Sequence, residues 1–150
     1  MESMDDLDVD QRVLWNLGRI FPMPLLDTVT LRLYGAGADC SGSTPAFANF
    51  LELHPNIREI ALKCDAVQKL DLLVLTSSSC LCPLLETLRV WVGQRLDEAT
   101  LMKVVESRTG CVEGGGTKHL RRVVFSLGEH SLLPSESTMA VLGERVALEW

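Results

Sequence analysis

Three short segments of this sequence contain residue types that bind phosphates or metal ions in proteins. Gly35-Ala36-Gly37 follows a predicted strand, as the glycines of a dinucleotide-binding turn do. Gly115-Gly116-Thr117-Lys118 resembles part of a phosphate-binding loop, and Cys80-Leu81-Cys82 places two thiols close together. Each of these chemistries needs a fixed spacing, so the spacing decides whether the segment can support it.

Neither glycine segment has the complete spacing. In the first, Cys40 occupies the third glycine position, and a loop continues to Thr44 where the phosphate-binding helix would begin. In the second, Thr117 separates Gly116 from Lys118, and the next predicted element is a strand instead of a helix. A small nucleotide-binding or enzymatic α/β domain using the Gly35–Thr44 loop therefore stands only as the alternative interpretation.

The two neighbouring cysteines also lack the spacing of a metal-binding site. Cys80 and Cys82 have one residue between them where a zinc site has at least two, and no second pair follows. No histidine lies at ligand spacing from them, and no nucleophile elbow of the Gly-x-Ser-x-Gly type occurs. We therefore predict that the chain is not an enzyme and has no catalytic residues, no cofactor and no metal.

The elements that position the side chains are indicated by one pattern that occurs four times. The copies begin at Pro24, Pro55, Pro83 and Lys118, and each continues as apolar-x-x-apolar-x-apolar-x-apolar. This is the strand signature of a leucine-rich repeat, although the spacing here is about 30 residues and thus longer than the usual ~20–29. The pattern predicts an α/β fold: a leucine-rich-repeat solenoid with a parallel β-sheet on its concave face and helices on its convex face.

Helix-capping residues lie between the predicted strands. Thr44, Asp65, Asp97 and Ser135 each precede a segment with apolar residues at helical spacing, including Val67, Leu70 and Val74 after Asp65. A fifth strand is predicted at the end from the alternation of Val146, Leu148 and Trp150. We interpret 24–150 as one domain of four to five repeats.

The segment 1–23 has a different pattern, an apolar helical stripe preceded by four aspartates. We interpret it as an N-terminal helical cap or a partial repeat, because a terminal repeat needs an atypical end. Met1 is compatible both with a natural start and with a truncated gene product.

Composition restricts the class of partner. The formal net charge of −6 argues against nucleic-acid binding, and no apolar run is long enough for a membrane span. The acidic start does not resemble a secretory signal, and the five cysteines are an odd number without framework spacing. These features predict a protein of the cytoplasm or nucleus.

Alternation along the strands indicates which side chains face the partner. If the repeated apolar positions face the core, the residues between them face the concave surface. Five of these form a basic and aromatic patch on an acidic protein: Arg32, Tyr34, Lys63, Arg89 and Trp91. Our hypothesis is that this patch binds an acidic or aromatic peptide segment, with Trp91 as its anchor. The alternative is that a loop or terminal segment covers Trp91.

The chain resembles the leucine-rich-repeat region of fungal F-box proteins, within the ribonuclease-inhibitor-like group. The stretch that carries the resemblance is Leu81-Cys82-Pro83-Leu84-Leu85-Glu86-Thr87-Leu88-Arg89-Val90-Trp91, with further similarity around 97–108 and 146–150. The resemblance implies the substrate-recognition part of a ubiquitin ligase, in which an F-box docks to the cullin-ligase adaptor and the repeats bind the substrate. Residues 1–23 contain no Leu-Pro-x-Glu/Asp-type F-box opening, so adaptor docking does not carry over to this chain.

Overall fold

The fold is described from a computed structural model of the chain. The structure describes residues 16–17, 19–20, 23–32, 44–63, 67–92, 96–110, 117–128 and 133–150. Strands and helices alternate along the chain in the order β1 Thr28–Arg32, α1 Thr44–Leu53, β2 Glu59–Lys63, α2 Val67–Asp71, β3 Thr87–Val92, α3 Glu98–Thr109, β4 Arg122–Leu127, α4 Glu136–Arg145 and β5 Ala147–Glu149. Residues 16, 17, 19 and 20 are also helical.

The five strands form one parallel sheet whose order follows the chain, β1-β2-β3-β4-β5. Crossovers between parallel neighbours are right-handed, so a sheet of this order has all its crossover helices on one face. Consecutive helices contact each other, from α1 to α2, α2 to α3 and α3 to α4, as a single helical layer requires. The predicted parallel α/β architecture and the fifth strand are confirmed.

The same turn precedes each of the first three strands. A backbone N–H to C=O hydrogen bond closes the turns Met23–Leu26, His54–Ile57 and Cys82–Leu85, at 3.0, 3.4 and 3.1 Å. Proline occupies the second position of all three turns, where its fixed φ suits the chain. The recurring prolines of the sequence pattern therefore have a common structural role, which is to direct the chain into the sheet.

The strand entrances are also equivalent at the backbone level. The carbonyl oxygen of Asp27 accepts hydrogen bonds from the N–H groups of Arg58 and Glu59, at 2.7 and 2.9 Å. The carbonyl oxygen of Arg58 accepts from the next pair in the same way, and that of Glu86 from the pair after it. Three successive junctions thus repeat one geometry, so these units are alike in three dimensions as well as in sequence.

The hydrophobic core lies between the sheet and the helical layer. Each strand contributes the apolar positions of the repeat, such as Ile60, Leu88 and Phe125, all with 0% exposure. The helices contribute a second set: Phe47, Phe50 and Leu51 from α1, Leu70 from α2, Leu101, Val104 and Val105 from α3, and Leu142 from α4. Of the apolar positions predicted after Asp65, Leu70 is therefore buried and Val74 is half-buried.

Helix α2 is shorter than the sequence pattern predicts. Apolar spacing extends the expected helix to Val74, whereas α2 ends at Asp71 and the chain continues as turns and loop. Leu73 and Val74 donate their backbone N–H groups to the carbonyls of Leu70 and Asp71, three residues back, which closes the helix with tighter turns. The loop that follows α2 continues to the turn at Cys82-Pro83.

Two carboxylates at the start of α3 have different roles. Asp97 is the predicted N-cap, and its side chain accepts hydrogen bonds from the N–H groups of Ala99 and Thr100, at 3.0 and 3.3 Å. Glu98 instead binds the start of α4: it accepts from the N–H and the hydroxyl of Ser135, at 3.1 and 2.8 Å, and from the hydroxyl of Thr138. Glu98 therefore connects one helix to the cap of the next.

We expect this connection to make stability depend on pH. Hydrogen bonds from Thr138, and then from Ser135, hold the pKa of Glu98 below its ordinary value of 4.5. Since the folded-state pKa is the lower one, the contribution is complete above about pH 4.5 and is lost as the pH falls through the folded-state value. Melting temperatures measured from pH 7 to pH 3 should fall less for Glu98→Gln than for the wild type. An equally steep fall in both proteins would contradict this role.

A candidate interaction surface on the open face of the sheet

On the sheet face opposite the helical layer, here called the open face, the strand positions form three rows. Strand register defines the rows, because partners on neighbouring parallel strands lie about 4.8 Å apart. The first row is Thr28, Glu59, Thr87, Arg122 and Ala147, and the second is Thr30, Ala61, Arg89, Val124 and Glu149. The third row contains Arg32, Lys63, Trp91 and Ser126, each two residues beyond a member of the second. In these rows Arg89 belongs to the second, and Arg32, Lys63 and Trp91 belong to the third.

Ion pairs connect the first row to the second along one diagonal. Glu59 on β2 pairs with Arg89 on β3, and Arg122 on β4 pairs with Glu149 on β5, the latter at 3.3 Å. The second guanidinium nitrogen of Arg122 also donates to the hydroxyl of Thr87 at 3.4 Å. Two arginines and two glutamates thus neutralise each other on this part of the face.

The side chains that lie between these ion pairs are small and buried. Ala61, Thr87 and Val124 are each 6% exposed or less, although they lie on the open face. Their burial follows from the long side chains that flank them in the rows, since arginine stems cover apolar surface while their charged ends stay in water. The first two rows therefore form a surface of small buried side chains on which each arginine is paired with a glutamate.

The five residues predicted to bind a partner are only partly brought together. Arg32 and Lys63 are register partners at the carboxyl ends of β1 and β2, where the structure describes their backbone. Trp91 is half-buried in the same row, and Arg89 lies in the second row, in its ion pair with Glu59. Tyr34 lies outside the described residues. The sequence did not predict that Arg89 has a partner within the chain.

A second group of charges lies at the edge of the sheet formed by the amino ends of the strands. Lys118 donates to the carboxylate of Glu86, and this bond is the main reason that the pKa of Glu86 is below its ordinary value. Arg121 and Arg58 lower that pKa further by their charge. Three cations that are close in sequence thus interact with different glutamates: Lys118 and Arg121 with Glu86 at this edge, and Arg122 with Glu149 on the open face.

One buried charged residue, Arg108, was not predicted from the sequence. Arg108 on α3 is fully buried, with its guanidinium donating to three backbone carbonyls of the loop between α2 and β3. The acceptors are Leu73 at 2.7 Å, Leu81 at 2.7 Å and Cys82 at 3.0 Å. Its only sequence signal is a position on the apolar face of α3, one turn after Val104.

The two described cysteines do not form a metal site. Cys80 is exposed and Cys82 is buried with both thiols free, and burial raises the pKa of Cys82 to about 11. At neutral pH a thiol with such a pKa is protonated, which disfavours nucleophilic attack because the thiolate is the nucleophile. Within the described ranges no group of three potential metal-binding side chains occurs. Cys40, Cys64 and Cys111 lie outside those ranges, as do 35–43 of the Gly35–Thr44 loop.

None of the helices in the described part of the chain is long and apolar enough to cross a membrane. Comparisons of the chain with known protein families, with characterised proteins and with solved structures gave no match.

Proposed function

We propose that this chain is a protein-interaction module, a leucine-rich-repeat solenoid that binds a protein segment on the open face of its sheet. It acts as the substrate-recognition repeats of an F-box-like ubiquitin-ligase subunit, in the cytoplasm or nucleus. Docking to the cullin-ligase adaptor is not part of this proposal, because residues 1–23 lack the F-box opening.

The observation that supports a solenoid best is the equivalence of successive units. The same proline turn and the same two-donor carbonyl recur before β2 and β3, and the carbonyl arrangement recurs again before β4. Solenoids are assembled from such units, each contacting only its neighbours, and they use the exposed sheet surface for binding. A sheet in chain order also has no point where the strand order reverses, which is where open α/β sheets bind nucleotides. The described strands therefore give no support to the alternative of a nucleotide-binding domain.

The charges of the open face indicate what the partner contains. Glu59 and Glu149 already neutralise the arginines of the first two rows, so an acidic partner gains little there. The third row places two cationic residues, Arg32 and Lys63, in register on β1 and β2, with Trp91 on the next strand. A segment carrying a carboxylate beside an aromatic or aliphatic side chain complements this row.

The F-box-like part of the proposal depends on the resemblance around 81–91. In the structure this stretch comprises the third proline turn and most of β3, including Arg89 and Trp91 on the open face. The residues that carry the resemblance thus also contribute to the proposed recognition surface.

Substitutions in the third row test this proposal. We expect Lys63→Glu with Trp91→Ala to abolish capture of the partner from a native lysate, because both the charge and the anchor of the third row are lost. Lys103→Glu makes the same charge change on the exposed side of α3 and should capture the partner as the wild type does. Urea unfolding first establishes that both variants are folded.

Two outcomes would reject the proposal. Equal loss of the partner in the Lys103→Glu control would place recognition elsewhere. A nucleoside phosphate at 100 times its dissociation constant would stabilise a nucleotide-binding domain by about 2.7 kcal/mol. A rise in melting temperature of that size would favour the nucleotide-binding alternative.

A further inference from the structure

Strand β5 has one edge on which no strand lies among the described residues. Its inner edge pairs with β4, in the register Arg122 to Ala147 through Val124 to Glu149. Ala147 donates its N–H to the carbonyl of Arg121 at 2.9 Å, so its backbone groups point inward. Backbone direction alternates along a strand, so both polar groups of Leu148 point outward, as do the carbonyl of Val146 and the N–H of Trp150. An exposed edge of this kind is a template for another strand.

The outward N–H and C=O groups of β5 can form hydrogen bonds with the same groups of a second copy of the chain. If a second copy pairs antiparallel about a two-fold axis at Leu148, the two Leu148 residues exchange N–H to C=O hydrogen bonds. Val146 then lies opposite Trp150 of the other copy, and the N–H of each Trp150 meets the carbonyl of the other Val146. One register thus uses the outward N–H and carbonyl of Leu148 and the N–H of Trp150, while the N–H of Val146 stays bonded to the Leu142 carbonyl at 2.9 Å.

The charges of the open face fit the same arrangement. In this register Ala147 lies opposite Glu149 of the second copy, so a small side chain separates Arg122 from that glutamate. The Cα atoms of the two charged residues would be about 10 Å apart, two strand spacings, which their long side chains can bridge over Ala147. Arg122 and Glu149 are each about half exposed, at 45% and 48% of their side chains, so each can still reach a second partner.

Apolar surface at this end of the sheet would be covered as well. Trp150 is 61% exposed, although its ring stacks on the buried ring of Phe125 with 5.3 Å between centroids. A two-fold axis perpendicular to the sheet keeps both helical layers on one side and places the α4 helices side by side. Val141, 37% exposed on α4, and its neighbour Ala140 are small enough for close approach there.

We propose that β5 is a self-association surface, through which two copies of this chain form an antiparallel, two-fold dimer with a continuous ten-stranded sheet. The surface is separate from the third row of the open face. The dimer would present two such rows to a partner.

The test is the mass of the 150-residue chain as a function of concentration, measured by sedimentation equilibrium. We expect the apparent mass to rise from 16.6 kDa toward twice that value at micromolar to millimolar concentrations. Ala147→Glu should weaken dimerisation about tenfold or more, because it places the introduced carboxylate of one copy opposite the like charge of Glu149 in the other. Ala147→Lys introduces a side chain of similar length and the opposite charge, and it should preserve or strengthen the dimer.

Amide exchange supplies the second readout. In concentrated wild-type samples the Leu148 amide should exchange more slowly than in dilute ones, whereas the Ala147 amide, bonded within the chain, should exchange equally in both. A monomer at every concentration would overturn the proposal. A dimer that responds alike to both Ala147 substitutions, or one that leaves the Leu148 amide unchanged, would also overturn it.

Discussion

Replacing Arg108 by alanine is expected to lower the free energy of unfolding by about 3–5 kcal/mol. The substitution removes three charge-assisted hydrogen bonds and leaves the carbonyls of Leu73, Leu81 and Cys82 without this donor, in residues that are all buried. The same loop is also attached to α3 through the hydrogen bond from the Leu75 N–H to the Ser107 hydroxyl, at 3.1 Å. Urea unfolding monitored by circular dichroism measures the change.

Two further variants distinguish the effect of the Arg108 hydrogen-bond geometry on stability from the effect of its positive charge. Arg108→Lys keeps the positive charge but cannot direct donors at three separated carbonyls, so it should recover little of the lost stability. Lys103→Ala removes a cation from an exposed position of the same helix and should change stability by less than about 0.5 kcal/mol. A nearly wild-type Arg108→Lys protein would show that the charge alone is sufficient and that the three-carbonyl geometry is not.

Phe125→Ala is the second large prediction, with an expected cost of about 3–5 kcal/mol. Phe125 lies on β4 with 0% exposure, and its removal would leave a cavity between the sheet and the helical layer beneath Trp150. Thermal and urea unfolding at low protein concentration should both report the loss, with the mass measured in parallel so that dimer dissociation does not contribute.

The next residue along β4 is the matched control. Ser126 is half-buried on the open face, and Ser126→Ala should cost less than about 0.5 kcal/mol. If both substitutions had similar effects, the strand would not divide into a core face and an open face, and the rows that define the proposed interaction surface would be wrong.

The ion pairs of the open face change what a partner must provide. A basic patch of five residues would attract any acidic segment, but Glu59 already occupies Arg89, and Glu149 already occupies Arg122. Pairs at this degree of exposure contribute little to stability, with a median of about 0–1 kcal/mol. Their main consequence is for specificity, because an acidic segment would have to compete with Glu59 and Glu149 for the arginines of the first two rows.

The sequence by itself determined the strands, their register and two helix caps. Strand alternation has a period of two residues, so the apolar positions of each repeat decide which face is buried, and the recurring turn aligns one strand with the next. Asp97 and Ser135 were predictable as caps because a cap bonds to backbone only two or three residues away. These features depend on neighbours along the chain or on a pattern that the chain repeats.

Only the tertiary structure decided the interactions between residues distant in sequence. Glu59 and Arg89, Glu98 and Ser135, and Arg108 with its three carbonyls are each separated by more than 25 positions, and nothing local distinguishes them from solvated charges. The bond from Arg108 to the Leu73 carbonyl, just after the end of α2, also joins residues from two different helices and their loops. The sheet brings such groups together through its strand spacing, and their partners therefore follow from the packed fold, where burial makes an unsatisfied polar group costly.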